Sequence, residues 1–205
     1  MQVWAYIVSQ FKRPHGALGH VAGIIMANRD SNKQRNAWTV ELLDIQPDDN
    51  VLEFGCGPGL ALLKCTQQIK NGRLVAIDHS PIMLQQAKSR LQTLGVNSDR
   101  VEFIEGGIER LQGFLTSFDK IYTINVIQFL DDKPKALKSL YDALSPNGVL
   151  AITYMPRNRN ASTEDAVRMS TELMAVMTKV GFQTVRTSTL SLSPVPAICV
   201  TGCHP

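Results

Sequence analysis

From residue 50 onward, short runs of β-branched and aliphatic residues alternate with stretches whose apolar positions recur at helical spacing. Such alternation marks repeated βα units on a parallel sheet. Strands are expected at Asn50 to Phe54, Arg73 to Ile77, Val101 to Ile104, Lys120 to Asn125 and Val149 to Tyr154. Between them the spacing predicts helices over about 58 to 70, from Ser80-Pro81 to Gly95, over 108 to 115 and over 133 to 144. Ser80 and Pro81 supply an N-cap and a first-turn proline, Asp131 or Asp132 caps the last of these helices, and Ser145-Pro146-Asn147-Gly148 turns the chain into the fifth strand. Ser162 with Asp165 has the form of a capping box for a further helix, which Gly181 terminates. Gln183 to Leu190 and Ala197 to Thr201 follow, joined only by Ser191 to Val195. So short a link holds no crossover helix, so this pair is expected as an antiparallel hairpin at a sheet edge. The expected class is α/β, a doubly wound, mostly parallel seven-stranded sheet.

Ahead of this body, Trp4, Ile7, Val8 and Phe11 form one helical stripe and Leu18, Val21, Ala22 and Ile25 another, separated by Pro14 and Gly16. Ser31 with Gln34 has the spacing of a capping box for a third helix carrying Trp38, Leu42 and Leu43. The N-terminal segment therefore reads as helices packed onto the body. The chain has 205 residues, 44% hydrophobic and 19% charged, enough for one core and too few for two full domains. Its net charge of +3 is smaller than the electrostatic footprint of a dedicated nucleic-acid binder. The surplus is local: Lys12, Arg13, Arg29, Lys33 and Arg35 stand against Asp30 alone in residues 1 to 40. Cys56, Cys65, Cys199 and Cys203 form no CxxC pair and have no histidine at zinc-ligand spacing, so core thiols in a reducing cytoplasm are expected, with no metal centre. The N-terminus has neither the basic start nor the small-residue cleavage pattern of a secretory signal, and no stretch suits a membrane span.

The most informative stretch is Val51-Leu52-Glu53-Phe54-Gly55-Cys56-Gly57-Pro58-Gly59, a buried strand entering a glycine-rich turn that opens a helix. Gly55 and Gly57 let a ligand approach the backbone, and the helix N-terminus offers free N–H groups. A dinucleotide fingerprint would need glycine at position 60, which is Leu60, and Glu53 would repel a pyrophosphate. A cationic or zwitterionic ligand suits the turn better. Asp78 closes the second strand, where a carboxylate can accept both hydroxyls of an adenosine ribose.

With these features the chain resembles the class I S-adenosylmethionine-dependent methyltransferases from about residue 36 to the C-terminus. VLEFGCGPG is similar to the family's first motif, AIDHSPIML to its second-strand motif, FIEGGIERL to its third-strand region, YTINVIQFL to its fourth-strand motif and ALSPNGVLAITY to its approach to strand five. The resemblance implies a Rossmann-like methyltransferase fold in residues 36–205, with residues 1–35 as an N-terminal helical arm or lid. It implies S-adenosylmethionine as methyl donor and S-adenosylhomocysteine as product. Backbone around Gly55, Cys56 and Gly57 would line the methionine part, and Glu53 would support its amino group. Asp78 would hold the ribose, His79 and Met83 would flank the adenine, and the Ile108 N–H would meet its edge. Asn125, with Val126 and Gln128, would border the methyl donor. The family's usual aspartate after the third-strand glycine is here Gly107, so a side-chain bond to the adenine amino group is lost unless water or Glu109 replaces it.

The acceptor is less legible. Tyr6, His15, His20 and Tyr154 are the candidate catalytic side chains, and Arg157 and Arg159 follow strand five, where an anionic substrate could be met. The expected function is methyl transfer to a small molecule, acidic or amphipathic if Lys12, Arg13 and Arg29 line its entrance. Protein or RNA methylation and a non-catalytic cofactor-binding scaffold are the alternatives. Against the nucleic-acid alternative, strand four runs into Asn125-Val126-Ile127-Gln128 and not an Asn/Asp-Pro-Pro-aromatic motif.

Overall fold

The computed structural model describes residues 28–158 and 160–205. Helix α1 (Asp30–Leu42) leads into β1 (Val51–Phe54), α2 (Leu60–Gln68), β2 (Leu74–Asp78), α3 (Pro81–Thr93) and β3 (Val101–Glu105). A 3-10 stretch (Ile108–Gly113) follows, then β4 (Phe118–Ile124), α4 (Lys133–Asp142), β5 (Leu144–Tyr154), α5 (Thr163–Val180), β6 (Gln183–Leu190) and β7 (Ala197–Cys203). Among the described residues the strands form one seven-stranded sheet in the order β3-β2-β1-β4-β5-β7-β6. The first five run parallel, and β7 is antiparallel to both β5 and β6.

The parallel strands are apolar on both faces because helices cover both. Val51, Leu74, Ala76, Tyr122 and Ala151 point to the layer built by α1, α2 and α3. Their chain neighbours Leu52, Val75, Ile77, Ile121 and Leu150 point to the layer of α4 and α5. Successive residues alternate sides, as the pleat requires. The caps expected from sequence form: Ser80 accepts from Met83 N, Asp132 from Lys135 N, and Ser162 with Asp165 makes a reciprocal box closed at the far end by Gly181.

Three local expectations are corrected. Ser31 is not a cap: α1 begins at Asp30 behind Arg29, whose carbonyl accepts from Asn32 N and Lys33 N, and Asp30 puts a carboxylate in the positive first turn. Residues 145 to 148 do not stand apart from β5: they bulge out of its ladder with β4, Asn147 taking a φ of 64°, yet stay within the strand. Asn147 N donates to His204 O and His204 N to Gly148 O, so the continuation of β7 draws this segment into an eleven-residue β5. The segment after β3 is a six-residue 3-10 stretch, shorter than the predicted helix.

Strand β1 lies between β2 and β4, and the chain winds outward from it in both directions. In such sheets the crevice beyond the strand C-termini at this reversal is the ligand site. No helix among the described residues is long and apolar enough to cross a membrane.

Candidate functional site

Strand β1 is buried throughout and leaves through Gly55, Gly57 and Gly59, with φ of 78°, 51° and 77°. At Gly55 space decides as well as φ, since a Cβ there would lie 2.3 Å from Val126 Cγ2, just past β4. At Gly57 an added Cβ would meet nothing within 4 Å, so the turn opens at its middle.

Asp78, the buried last residue of β2, ties the turn to the next helix. Gly57 N donates to its Oδ2 at 2.8 Å and Ser80 N to its Oδ1 at 2.9 Å. A carboxylate has about four acceptor sites, so ligand hydroxyls can still be accepted. Burial pushes the Asp78 carboxyl above its ordinary range, against the Ser80 and Gly57 N–H groups and His79, which pull it down. His79 is partly exposed, its Nδ1 3.9 Å from Asp78 Oδ1, and Met83 is buried in the first turn of α3.

Glu53 is 1% exposed inside β1. Tyr122, its register partner on β4, donates from its hydroxyl to Glu53 Oε2 at 3.0 Å, and the same hydroxyl meets Cys65 Sγ at 3.2 Å. Burial raises the Glu53 carboxyl well above its usual value, Tyr122 opposes this, and Asp78 adds to it. Two buried carboxyl groups that raise each other's hold on a proton are ionised more readily when a cation lies beside them. Cys56 in the turn is buried, and desolvation with the Asp78 and Glu53 charges raises its thiol, so it is an inert lining group.

Gly107 N donates to Glu109 Oε1 at 2.8 Å, and a Cβ at Gly107 would lie 2.7 Å from Glu109 Oε2. The Glu109 carboxylate thus fills the space into which an aspartate at 107 would project. The N–H groups of Gly107 and of Glu109 itself hold it below the usual carboxylate range, so it is ionised. Ile108 opens the 3-10 stretch beside it.

Past β4, Asn125 has φ 56° and exchanges two bonds with one residue, donating from Nδ2 to Met155 O at 2.9 Å and accepting from Met155 N at 2.8 Å. Its amide clamps the segment after β5 to the end of β4. Gln128 Nε2 donates to Asn125 O at 2.7 Å, while Gln128 Oε1 is buried without a partner.

Tyr154 closes β5 half-buried; burial and the Asp165 charge push its phenol up, the wrong direction for a general base. Tyr6, His15 and His20, with Lys12, Arg13 and Arg159, lie outside the described residues. Sequence reasoning gave no role to Tyr122, Asn32, Arg35 or Met155. The only signal for Tyr122 was its polar group among the buried residues that end β4.

Residues 51–148 match the family model described as a methyltransferase domain. Over 185 residues, 90% of this chain and 98% of the relative, it is 32% identical to YdaC of Bacillus subtilis strain 168, an uncharacterized methyltransferase. The chain belongs to the S-adenosylmethionine-dependent methyltransferases. It is 32% identical over 136 residues to the trans-aconitate 2-methyltransferase of Deinococcus radiodurans, covering 64% of this methyltransferase and 49% of that enzyme. The crystal structure of the N-methyltransferase NodS of Bradyrhizobium japonicum, in complex with S-adenosylhomocysteine, shares the fold with a TM-score of 0.68 at 19% identity, covering 87% of this chain and 89% of that one. The methyltransferase uses S-adenosylmethionine as its cofactor. The acidic turn, the remaining acceptor sites of Asp78, the space over Gly57 and the orphan Gln128 oxygen fit a cationic nucleoside of this kind.

Proposed function

We propose that this methyltransferase transfers the methyl group of S-adenosylmethionine to a small-molecule acceptor, leaving S-adenosylhomocysteine. The observation that carries this is the open glycine turn flanked by two buried carboxylates, Glu53 and Asp78. The small acceptor is supported by the named activity of the trans-aconitate relative, about half of whose length the chain spans.

Asp78 accepts from the ribose hydroxyls while still holding Gly57 N and Ser80 N. Glu53 takes the ammonium, directly or through water, and Gly55, Cys56 and Gly57 offer backbone to the methionine part. His79 and Met83 flank the adenine, the Ile108 N–H meets its edge, and Glu109 accepts from the amino group in place of the absent acid at 107. Asn125 and Gln128 border the donor end, Asn125 by fixing the Met155 backbone and Gln128 through its unpartnered oxygen. The bound sulfonium supplies the electrophilic methyl carbon. What the protein adds is in-line orientation and exclusion of water, and a general base only for a nucleophile protonated at working pH.

Calorimetry with the cofactor and its demethylated product, then transfer of labelled methyl to a small-molecule panel, tests the proposal. Binding with turnover of a small molecule is expected. Binding of neither nucleoside overturns the site, and turnover confined to protein or RNA overturns the acceptor class.

The Glu109 role has its own test. Glu109→Ala should weaken S-adenosylhomocysteine binding by about three- to tenfold, the worth of a ~1 kcal/mol hydrogen bond. Gly107→Asp alone should also weaken it, by crowding Glu109 Oε2, whereas Gly107→Asp with Glu109→Ala should recover affinity. A double variant no tighter than Glu109→Ala would remove Glu109 from the adenine site.

A further inference from the structure

Helix α1 carries a guanidinium into the interior with no counter-ion among the described residues. Arg35 is 4% exposed; its Nη2 donates to Asn32 Oδ1 at 2.9 Å, its Nη1 meets only the weak acceptor Met155 Sδ at 3.2 Å, and its Nε is buried without a partner. Arg157, on the segment after β5, donates to the same Asn32 oxygen. Two cations therefore converge on one neutral amide oxygen. Neither makes a salt bridge among the described residues. The chain has no acidic residue before Asp30, so the N-terminal segment supplies none, and Asp30 itself pairs with Lys33.

The like charges are felt. Burial and Arg157 push Arg35 down to about 9, and desolvation with Arg29 lowers Arg157, although both stay cationic at neutral pH. Docking α1 does not require this arrangement, since Thr39 Oγ1 and Thr153 Oγ1 already join α1 to β5 at 2.7 Å one turn further on. Buried charge without a partner is costly unless a ligand completes it. The position matches the crevice: Met155, which touches Arg35, is the residue clamped by Asn125, and the adjoining Val126 closes over Gly55.

We propose that Arg35 and Arg157, with the Asn32 amide between them, receive an oxyanion, a carboxylate or a phosphate, carried by the methyl acceptor. This deepens the small-molecule methyltransferase proposal and rests on it for the identity of the ligand. The oxyanion takes the unused Arg35 Nε–H and the free N–H groups of Arg157, replaces a neutral oxygen as focus of two cations, and fixes the acceptor at the donor end of the crevice. Guanidinium forks suit both anions.

The test titrates the protein saturated with S-adenosylhomocysteine with succinate, citrate and inorganic phosphate, using sodium chloride at matched ionic strength as control, and reads thermal midpoint and calorimetric affinity. At least one oxyanion should raise the midpoint where chloride does not, carboxylates or phosphate prevailing according to the group the acceptor carries. Arg157→Gln, at a part-buried residue whose loss relieves repulsion, should lower that affinity by at least about tenfold and leave S-adenosylhomocysteine affinity within about twofold of wild type. Arg35→Gln should do the same, and Arg157→Gln alone decides if it fails to fold. Oxyanions no better than chloride, or full oxyanion affinity in Arg157→Gln, would overturn the site. The same titrations without the nucleoside read the oxyanion site alone, so failure to bind S-adenosylhomocysteine strikes the methyltransferase site and not this one.

Discussion

Asp78→Ala is expected to weaken S-adenosylhomocysteine binding at least tenfold, the ~1.5–3 kcal/mol of a charge-assisted hydrogen bond, while the variant still folds. Two losses combine. In the proposed binding mode the ribose hydroxyls lose their acceptor, and the N–H groups of Gly57 and Ser80 lose theirs in the fold itself, so the glycine turn loosens as well. The unliganded fold should suffer less than two lost hydrogen bonds imply. The Asp78 carboxyl sits above its ordinary range, so its burial outweighs the N–H groups it satisfies, and its removal also relieves that burial. Asp78→Asn separates the losses by restoring one acceptor oxygen without the charge. Calorimetry and thermal melts of both variants check this, and a folded Asp78→Ala protein of wild-type affinity would move the ribose elsewhere.

Features set by neighbours in sequence were legible before the structure. The glycine turn, Asp78 at the strand end and the caps at Ser80, Asp132 and Ser162 are each made within a few residues, so motif and geometry coincide. What sequence did not reveal depends on pairings fixed only by the sheet. Tyr122 reaches Glu53 because β1 and β4 are neighbours in parallel register, and Asn32 meets Arg157 because α1 packs beside the end of β5. The Asn125 amide was expected to border the donor, yet both its polar atoms serve the Met155 backbone, a partner no local pattern names. Even local signals are reshaped by a longer-range one, as at Asn147 and Gly148, where bonds to His204 draw the turn residues into β5 as a bulge.

Glu53→Gln should shift affinity and stability in opposite directions. The Glu53 carboxyl is held well above its ordinary value of 4.5, chiefly by burial. At pH values below that ordinary value both folded and unfolded chains hold the proton, and Glu53 contributes no pH dependence. As pH rises past about 4.5 the unfolded chain ionises while the folded one keeps its proton, so stability falls with pH until the folded carboxyl also ionises. Glutamine is isosteric with the protonated acid and can still accept from the Tyr122 hydroxyl, but it cannot ionise. The unliganded variant should therefore melt higher than wild type at pH 8, with the gap narrowing as pH is lowered toward 4.5. The cofactor's ammonium, by contrast, loses its carboxylate partner, and S-adenosylhomocysteine affinity should drop at least tenfold, again ~1.5–3 kcal/mol. At pH values where Glu53 of the free protein still holds its proton, wild-type binding should also release it as Glu53 ionises against the ammonium, visible as a buffer-dependent calorimetric enthalpy that Glu53→Gln abolishes. A variant that melts lower at pH 8 while binding normally would make Glu53 a structural acid of the strand, with the ammonium held by the backbone of the glycine turn alone.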